Sequence, residues 1–253
     1  MIEDFKIRIE LATSLFESLD GAKHPIMLDA LLAYIVLSGK GVKKTPAELS
    51  PENLLFAELP IERIEKCYLC SAAVYPAARY IKSDSFAKRG TPNAHMSNIM
   101  PTFLSTMHVA KPGLLRGIEL AVPYIDFYAR VTDQEHFINL LKVVKQNGIG
   151  KKTSIGFGQI AGINVFKSEH PDRCYKTEAG LPTRPLPIRL FQDKIDEDAA
   201  TVGMSGYYAP YWFRKNHVPC FLPDTSLMSP LPELNSSIIS DMKAELAAKS
   251  SQH

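Results

Sequence analysis

The stretch NGIGKKTSIGFGQIAGINV, residues 147–165, decides how the rest of the chain is interpreted. It holds two Gly-x-Gly pairs, which begin at Gly148 and Gly156, and the polar tetrapeptide KKTS lies between them. Glycine has no Cβ atom, so it adopts positive φ angles and allows the backbone to approach a ligand closely. Backbone N–H groups beside two lysines form a concavity for anions. The pattern therefore predicts an anion-binding loop.

The elements on either side of this loop exclude the common nucleotide-binding motifs. Apolar residues at helical spacing, with Thr132 or Asp133 as the cap, predict a helix before the loop. Alternating apolar residues over 160–165 predict a strand after it. A P-loop follows a strand and needs an upstream glycine, whose place is taken here by Lys145. A dinucleotide-binding loop also runs from strand to helix, so neither motif fits this order.

Three further strands and a second helix complete the pattern around the loop. Alternating apolar residues over 5–11 predict the first strand, and helical spacing over 28–39 predicts the first helix. The apolar runs over 67–75 and 118–131 predict the second and third strands. The order strand, helix, strand, strand, helix, strand is that of a ferredoxin-like, RRM-like domain. We therefore predict an α+β fold in which both helices pack on one face of an antiparallel sheet.

A change in composition after the fourth strand predicts two units. We expect residues 1–168 to form the ferredoxin-like domain, with a long basic arm over residues 79–116. A connection of this length inside a compact domain is usually functional or disordered, and its apolar residues argue against disorder. Residues 169–253 are punctuated by prolines and predict a smaller, mainly β unit that ends in a helix. A short strand is expected over residues 188–191.

Charge is distributed unevenly along the chain, although the formal net charge of the 253 residues is only +2. Cations outnumber acids over residues 81–116 and residues 142–152. Local basic patches of this kind are what binding to nucleic acid requires. No apolar run is long enough to cross a membrane, and the acidic N-terminal sequence MIEDFKIRIE is unlike a signal peptide. We therefore expect a cytoplasmic protein with no membrane contact.

Cysteine and histidine offer few candidates for metal binding or catalysis. Cys67 and Cys70 form a C-x-x-C motif inside an apolar run, and no second pair at zinc-site spacing accompanies them. We therefore expect buried thiols, with no metal and no cofactor. Metal-independent RNA cleavage needs a general acid or base, typically histidine. His24 is a weak candidate, because it precedes a helix that borders the glycine loop in the predicted fold.

The loop and the first helix resemble the RAMP superfamily of CRISPR-associated proteins. The residues that carry the loop match are Gly148, Gly150, Lys151, Lys152, Gly156, Phe157, Gly158 and Ile160. The text HPIMLDALLAY at residues 24–34, the long arm and the late APYW stretch are similar to the Cas five-type subunit of type IV systems. The loop and the helix place this resemblance in the N-terminal two-thirds of the chain.

The resemblance implies a crRNA-binding subunit of a type IV CRISPR effector ribonucleoprotein. Such a subunit caps the 5′ handle of the guide RNA and contacts the backbone RAMP subunit and the large subunit. It meets target DNA only indirectly, through the complex. Relatives in the superfamily cleave precursor crRNA, so a metal-independent endoribonuclease is the alternative. A protein-interaction scaffold, whose basic arm binds an acidic partner, is the second alternative.

We predict RNA contacts in two segments of the chain. Lysines of the loop bind phosphates and its hydroxyl groups donate hydrogen bonds, whereas the arm supplies cations and an aromatic ring that stacks on a base. The predicted loop residues are Gly148, Gly150, Lys151, Lys152, Thr153, Ser154, Gly156 and Gly158. The predicted arm residues are Lys82, Phe86, Lys88, Arg89, His95 and Arg116.

Overall fold

In the residues that it describes, the computed structural model has an α+β fold of small antiparallel sheets and helices, which confirms the predicted class. The described residues are 2–18, 25–39, 57–76, 80–88, 113–211 and 213–223. The strands are β1 (Glu3–Leu11), β2 (Leu15–Ser18), β3 (Arg63–Ile64), β4 (Cys67–Tyr68), β5 (Tyr80–Lys88), β6 (Gly113–Ala121), β7 (Tyr124–Val131), β8 (Ile160–Lys167), β9 (Leu186–Pro187), β10 (Val202–Gly206) and β11 (His217–Phe221). The α-helices are α1 (Leu28–Gly39), α2 (Gln134–Asn147) and α3 (Ile188–Phe191), and 3-10 turns lie at Thr153–Ile155, Pro171–Cys174 and Arg214–Asn216.

The central sheet has the order β7-β1-β8, and both pairings are antiparallel. Residues 57–76 continue the sheet beyond β7 through isolated bridges, including Cys70 to Ala129 and Val74 to Asp126. The prediction of a regular second strand over residues 67–75 is therefore wrong. The physical reason is that the amides of Ala72 and Ala73 donate to the carbonyls of Thr183 and Ile26 instead of to β7, and the register with β7 shifts by one residue between the two bridges.

The main core lies between this sheet and the two longer helices. Alternate residues of β1, such as Ile7 and Ile9, are fully buried and pack with apolar residues of α1 and α2. The helix α2 begins as predicted, because the Asp133 side chain accepts a hydrogen bond of 3.0 Å from the amide of His136. Its apolar face, which includes Phe137, is buried against the sheet. This packing fixes where α2 ends and the glycine loop begins.

A second sheet, with the order β2-β6-β5, accounts for the base of the arm. Strands β5 and β6 pair antiparallel from Tyr80 with Ala121 to Lys88 with Gly113. Residues 89–112, the middle of the predicted arm, lie outside the described residues. The prediction of one strand over residues 118–131 is wrong, because the chain breaks at Pro123 and β6 and β7 join different sheets.

A third sheet, β10-β11-β9, follows in the C-terminal part of the chain. The strand expected over residues 188–191 is instead the helical turn α3, which follows Pro187 at its N-cap and is closed by a bond of 2.9 Å from the Gln192 amide to the Ile188 carbonyl. The predicted terminal helix lies outside the described residues. No helix in the described ranges is both long enough and apolar enough to span a bilayer.

Candidate nucleic-acid interface

The glycine loop is closed by a tight backbone crossing, which we call the neck. Gly148 ends α2 at a φ angle of +73°, and its amide donates to the Val144 carbonyl at 3.0 Å. The Ile149 amide then donates to the Gly158 carbonyl at 2.9 Å. Gly158 has a φ angle of +61°, and a Cβ atom on it would lie 1.8 Å from the Ile149 carbonyl oxygen. The neck therefore needs glycine at position 158 for close backbone packing.

The segment that joins β1 to β2 holds the loop from one side. The Gly158 amide donates to the Ser14 carbonyl at 2.8 Å, and the Lys151 amide donates to the Phe16 carbonyl at 3.2 Å. The Thr13 hydroxyl donates to one loop carbonyl at 2.7 Å and accepts from one loop amide at 2.9 Å. These bonds come from residues far away in sequence, so the loop is positioned by the fold and not by its own sequence alone.

Most amide groups of the loop are occupied by protein carbonyls, which differs from the open cradle of N–H groups expected from the sequence. The amides that donate to backbone carbonyls are those of Gly148, Ile149, Lys151, Ile155, Gly156, Phe157 and Gly158. Within the described residues, the amides of Gly150, Thr153 and Ser154 donate to no backbone carbonyl. Contact with an anion at this loop would therefore depend on the lysine side chains more than on an open set of backbone amides.

The apex of the loop presents side chains to solvent. Lys151 and Ser154 are exposed, Lys152 is half-buried, and 57% of Ile155 is exposed. Lys152 has a φ angle of +63°, a region that non-glycine residues rarely occupy. Residues 136–168 contain no acidic side chain, so the apex carries its positive charge without a neighbouring carboxylate in sequence. A strained, cationic apex on a braced neck suits contact with phosphate groups.

The structure places the glycine loop next to the base of the arm. Lys151 forms an antiparallel bridge with Phe16 of β2, and Phe16 pairs on its other side with Glu119 of β6. Lys82 of β5 is the next partner of Glu119. The strand β2 therefore lies between the loop and the two arm strands.

Some of the residues predicted in the arm lie within the described residues, and others do not. The backbone positions of Lys82, Phe86 and Lys88 lie in β5, and that of Arg116 lies in β6 opposite Ser85. Arg89, His95 and the weak catalytic candidate His24 lie outside the described residues. The roles of all the predicted RNA-binding residues therefore stay predictions.

The four cysteines are free thiols in the interior. Burial raises the pKa of Cys67 to about 11 and the pKa of Cys174 and Cys220 to about 12, because a thiolate is poorly solvated there. In the described part of the chain, no group of three or more His, Cys, Asp or Glu side chains is arranged to hold a metal ion. The C-x-x-C motif contributes to the cores instead, with Cys70 in the main core and Cys67 beneath the third sheet.

We expect the native thiols to react slowly with a thiolate-specific reagent such as Ellman's reagent at pH 8. Raised pKa values leave roughly a thousandth or less of each thiol as thiolate at that pH, since each pH unit is a factor of ten. Reaction should accelerate as the pH rises toward 11, where the Cys67 thiolate forms. The denatured protein is the reference and should release all four equivalents rapidly. Rapid labelling of native Cys67 or Cys70 would contradict the buried arrangement.

Arg184 is a buried residue that the sequence analysis missed. Its guanidinium is fully buried and pairs with Asp29 of α1, with 2.9 Å between Nη2 and Oδ2. Its Nη1 donates to the carbonyls of Tyr68 at 2.6 Å and Cys70 at 3.1 Å. Burial alone lowers the pKa of Arg184, but the Asp29 carboxylate raises it well above the ordinary value. The residue stays charged and ties α1 to the C-terminal part, and a lone arginine among prolines is no sequence signal of this role.

No protein-family model and no curated protein matches the sequence. Among solved structures, the chain is similar to a chain of a cryo-EM structure of the Type III-B Cmr-beta bound to cognate target RNA. The two chains are 12% identical and align with a TM-score of 0.37 over 66% of this chain and 61% of that chain. The match thus spans less than two thirds of the other chain, and a similarity of this size carries no inference about fold or function. The proposed function therefore rests on this chain's own residues.

Proposed function

We propose that the protein is an RNA-binding subunit of a CRISPR effector ribonucleoprotein, and that its glycine loop binds the backbone of the guide RNA. More specifically, we propose the role of a type IV subunit that caps the 5′ handle of the crRNA. The observation that carries the proposal is the position of Lys151 and Lys152 at the apex of the glycine loop, which the neck holds beside the base of a basic arm. The sequence resemblance to RAMP proteins points to the same role.

We also propose that residues 1–168 form a ferredoxin-like domain. The order of the sheet is residues 57–76, then β7, β1 and β8, and the helices follow β1 and β7 in sequence. This is the strand order that a split βαβ domain requires. Residues 169–253 then form the second unit of the proposed organisation.

In this proposal, electrostatic contacts at the glycine loop position the RNA backbone. Lysine side chains contact phosphate oxygens, and nearby hydroxyls and amides add hydrogen bonds that fix the register of the RNA backbone. Such contacts release counterions from the RNA, so affinity falls as the salt concentration rises. The remaining surface of the proposed subunit contacts the backbone and large subunits of the effector, through which target DNA is reached.

Replacing Lys151 and Lys152 together with alanine should weaken binding of labelled repeat RNA by about 10- to 100-fold at low salt. The plot of log affinity against log salt concentration should become shallower by about 1.4, since each lost contact to single-stranded nucleic acid removes about 0.7. Fluorescence anisotropy over a series of salt concentrations measures both quantities.

The control is the double variant Lys142→Ala with Lys145→Ala, which removes the same charge from exposed positions of α2. It should reduce affinity only slightly. Equal losses in the two double variants would indicate unspecific attraction and remove the loop from the mechanism. Cleavage of the RNA in the presence of a chelator would establish the endoribonuclease instead, and an absence of RNA affinity with partner subunits present would exclude both RNA-based functions.

A further inference from the structure

The face of the central sheet that is turned away from α1 and α2 carries polar and aromatic side chains instead of a second core. Phe5, Ile7 and Ile9 alternate toward the helices, so the other residues of β1 lie on the opposite face. Strand pairing arranges that face in three rows across β7, β1 and β8. The rows are Tyr128–Lys6–Phe166, Asp126–Arg8–Asn164 and Tyr124–Glu10–Gly162.

A nearly buried carboxylate holds the two cations of this face in place. Asp126 accepts from Arg8 at 2.8 and 2.9 Å, and Lys6 approaches it to 3.0 Å. The Asp126 side chain is only 9% exposed, whereas those of Lys6 and Arg8 are each 31% exposed. Their positions are therefore fixed before any ligand arrives.

Arg8 is also stacked on an aromatic ring. Its guanidinium carbon lies 3.7 Å from the centroid of the Tyr124 ring. The next strand places Asn164 opposite Arg8, and the Asn164 amide nitrogen donates to Glu10 at 2.9 Å. Among the described residues, the Asn164 side-chain carbonyl accepts no hydrogen bond. A planar cation thus lies beside an amide that still offers an acceptor.

Among the residues that the structure describes, none covers the β1–β8 half of the face, and a 3-10 turn covers part of the β7 half. The 3-10 turn at Pro171–Cys174 lies over β7, where the Pro171 carbonyl accepts from Arg130 at 3.3 Å and the Arg173 guanidinium lies 5.4 Å from the Tyr128 ring. On β8, by contrast, Asn164 is exposed and half of Phe166 is exposed. A ligand on β8 therefore has access to Asn164 and Phe166, and to the 31% of the Arg8 side chain that is exposed beside Asp126.

The chemistry of this open half selects a planar, uncharged ligand. Lys6 and Arg8 are balanced by Asp126 and Glu10, so the patch has no excess charge to attract a phosphate. A protein partner would favour a continuous apolar centre, yet Phe166 is the one large exposed apolar side chain among the described residues of β1 and β8. An aromatic ring, a guanidinium plane and a free amide acceptor are the groups that stack on a nucleobase and bond to its edge.

We infer that this half of the sheet binds a base of single-stranded RNA, which stacks on Phe166 beside the Arg8 guanidinium and hydrogen-bonds to Asn164. The inference rests on the proposed RNA-binding function but concerns a different surface. This surface recognises bases, whereas the glycine loop binds phosphates. The strand β8 begins directly after the loop, and its rise puts Asn164 about 17 Å beyond Gln159. One RNA strand that leaves the loop along β8 would meet both sites.

The test is Phe166→Ala, with Met204→Ala as the matched control, because Met204 is 64% exposed on a different sheet. The probe is a short single-stranded RNA that carries 2-aminopurine, and a second probe has abasic sites at the same positions. Phe166→Ala should bind the first probe about tenfold more weakly and lose its fluorescence quenching, with an unchanged salt slope because no charge is removed. The abasic probe should bind to both proteins equally, and Met204→Ala should behave as the wild type. Arg8→Lys keeps the positive charge near Asp126 but removes the planar guanidinium, so it should also reduce the quenching.

Wild-type binding with an unchanged Phe166→Ala variant would overturn the inference while leaving the proposed function intact. The inference would also be overturned if Phe166→Ala impaired the binding of a protein subunit but left base-dependent RNA binding unaltered. If Lys151→Ala with Lys152→Ala binds normally but Phe166→Ala loses the base-dependent signal, the base site stands and the loop assignment fails. Loss of all RNA binding by the wild type, with partner subunits present, would overturn both.

Discussion

Replacing Gly158 with alanine should lower the free energy of unfolding by about 3–5 kcal/mol, from the sum of a steric and a conformational cost. The new Cβ atom would lie 1.8 Å from the Ile149 carbonyl oxygen, so the two backbone segments of the neck must separate. Alanine must also adopt the left-handed φ angle of +61°. Separation would weaken the bond of 2.9 Å between the Ile149 amide and the Gly158 carbonyl. Equilibrium unfolding in urea measures the change.

Gly156→Ala is the matched control for this substitution. Gly156 also has a positive φ angle, of +101°, but a Cβ atom there would meet nothing within 4 Å. Only the conformational cost remains, about 1–2 kcal/mol. Equal losses of stability in the two variants would show that the close approach at the neck is not what position 158 requires. We also expect Gly158→Ala to bind RNA more weakly than Gly156→Ala, because the neck positions Lys151.

Replacing Asp29 with asparagine should lower the free energy of unfolding by about 3–5 kcal/mol, because it leaves a buried guanidinium without its carboxylate. Arg184 and Asp29 are 0% and 1% exposed, so water cannot replace the lost partner. Tyr211 also loses one of its two acceptor oxygens, since its hydroxyl lies 2.8 and 2.7 Å from the two oxygens of the Asp29 carboxylate. Urea unfolding of the variant and the wild type gives the difference.

Glu178→Gln provides the surface comparison, because it breaks the ion pair between Arg173 and the Glu178 carboxylate, whose side chain is 70% exposed. Such pairs contribute about 0–1 kcal/mol. A double-mutant cycle with Arg184→Met should show a coupling with Asp29 of about 1–3 kcal/mol. If Asp29→Asn costs no more than Glu178→Gln, the buried pair does not hold α1 to the C-terminal part.

Local sequence predicted the elements whose signals are themselves local. The alternation in β1 and β8, the Asp133 cap of α2 and the loop that follows Asn147 are all confirmed. These features depend on the spacing of residues within one element. The α+β class follows from them.

One incorrect prediction arises where distant residues bond to the backbone, and another arises where a proline interrupts a strand. The run from Cys67 to Tyr75 has strand-forming residues, but the amides of Ala72 and Ala73 donate to distant carbonyls instead of to β7. The bridges on either side of these two residues differ in register by one, so no regular ladder forms. The third strand was expected to continue through Pro123, which has no amide to donate and marks the break between two sheets. The first outcome is not visible within a short window of sequence, whereas Pro123 is a local signal of the second.

The same limit applies to the candidate site. Sequence identified the glycine-rich loop, but it could not separate glycines that serve a ligand from glycines that serve the fold. The structure gives Gly148 and Gly158 close backbone neighbours, whereas Gly156 is open to solvent. The aromatic and cationic rows of the central sheet were also missed, because the pattern shows only that alternate residues of β1 are polar, and cross-strand neighbours depend on register.

The position of β2 fixes the distance between the glycine loop and the base of the arm. Any RNA that contacts both must span that distance. Lys151, Phe16, Glu119 and Lys82 follow one another across four neighbouring backbone segments. Adjacent segments of a sheet are about 4.8 Å apart, so the backbones of Lys151 and Lys82 are separated by about 14 Å. Hydrogen-bonded pairing fixes that span, and it does not adjust to the ligand. If RNA contacts both the loop and the arm as proposed, the two contacts would select it by the distance between its phosphates, which is a property of its conformation and not of its bases.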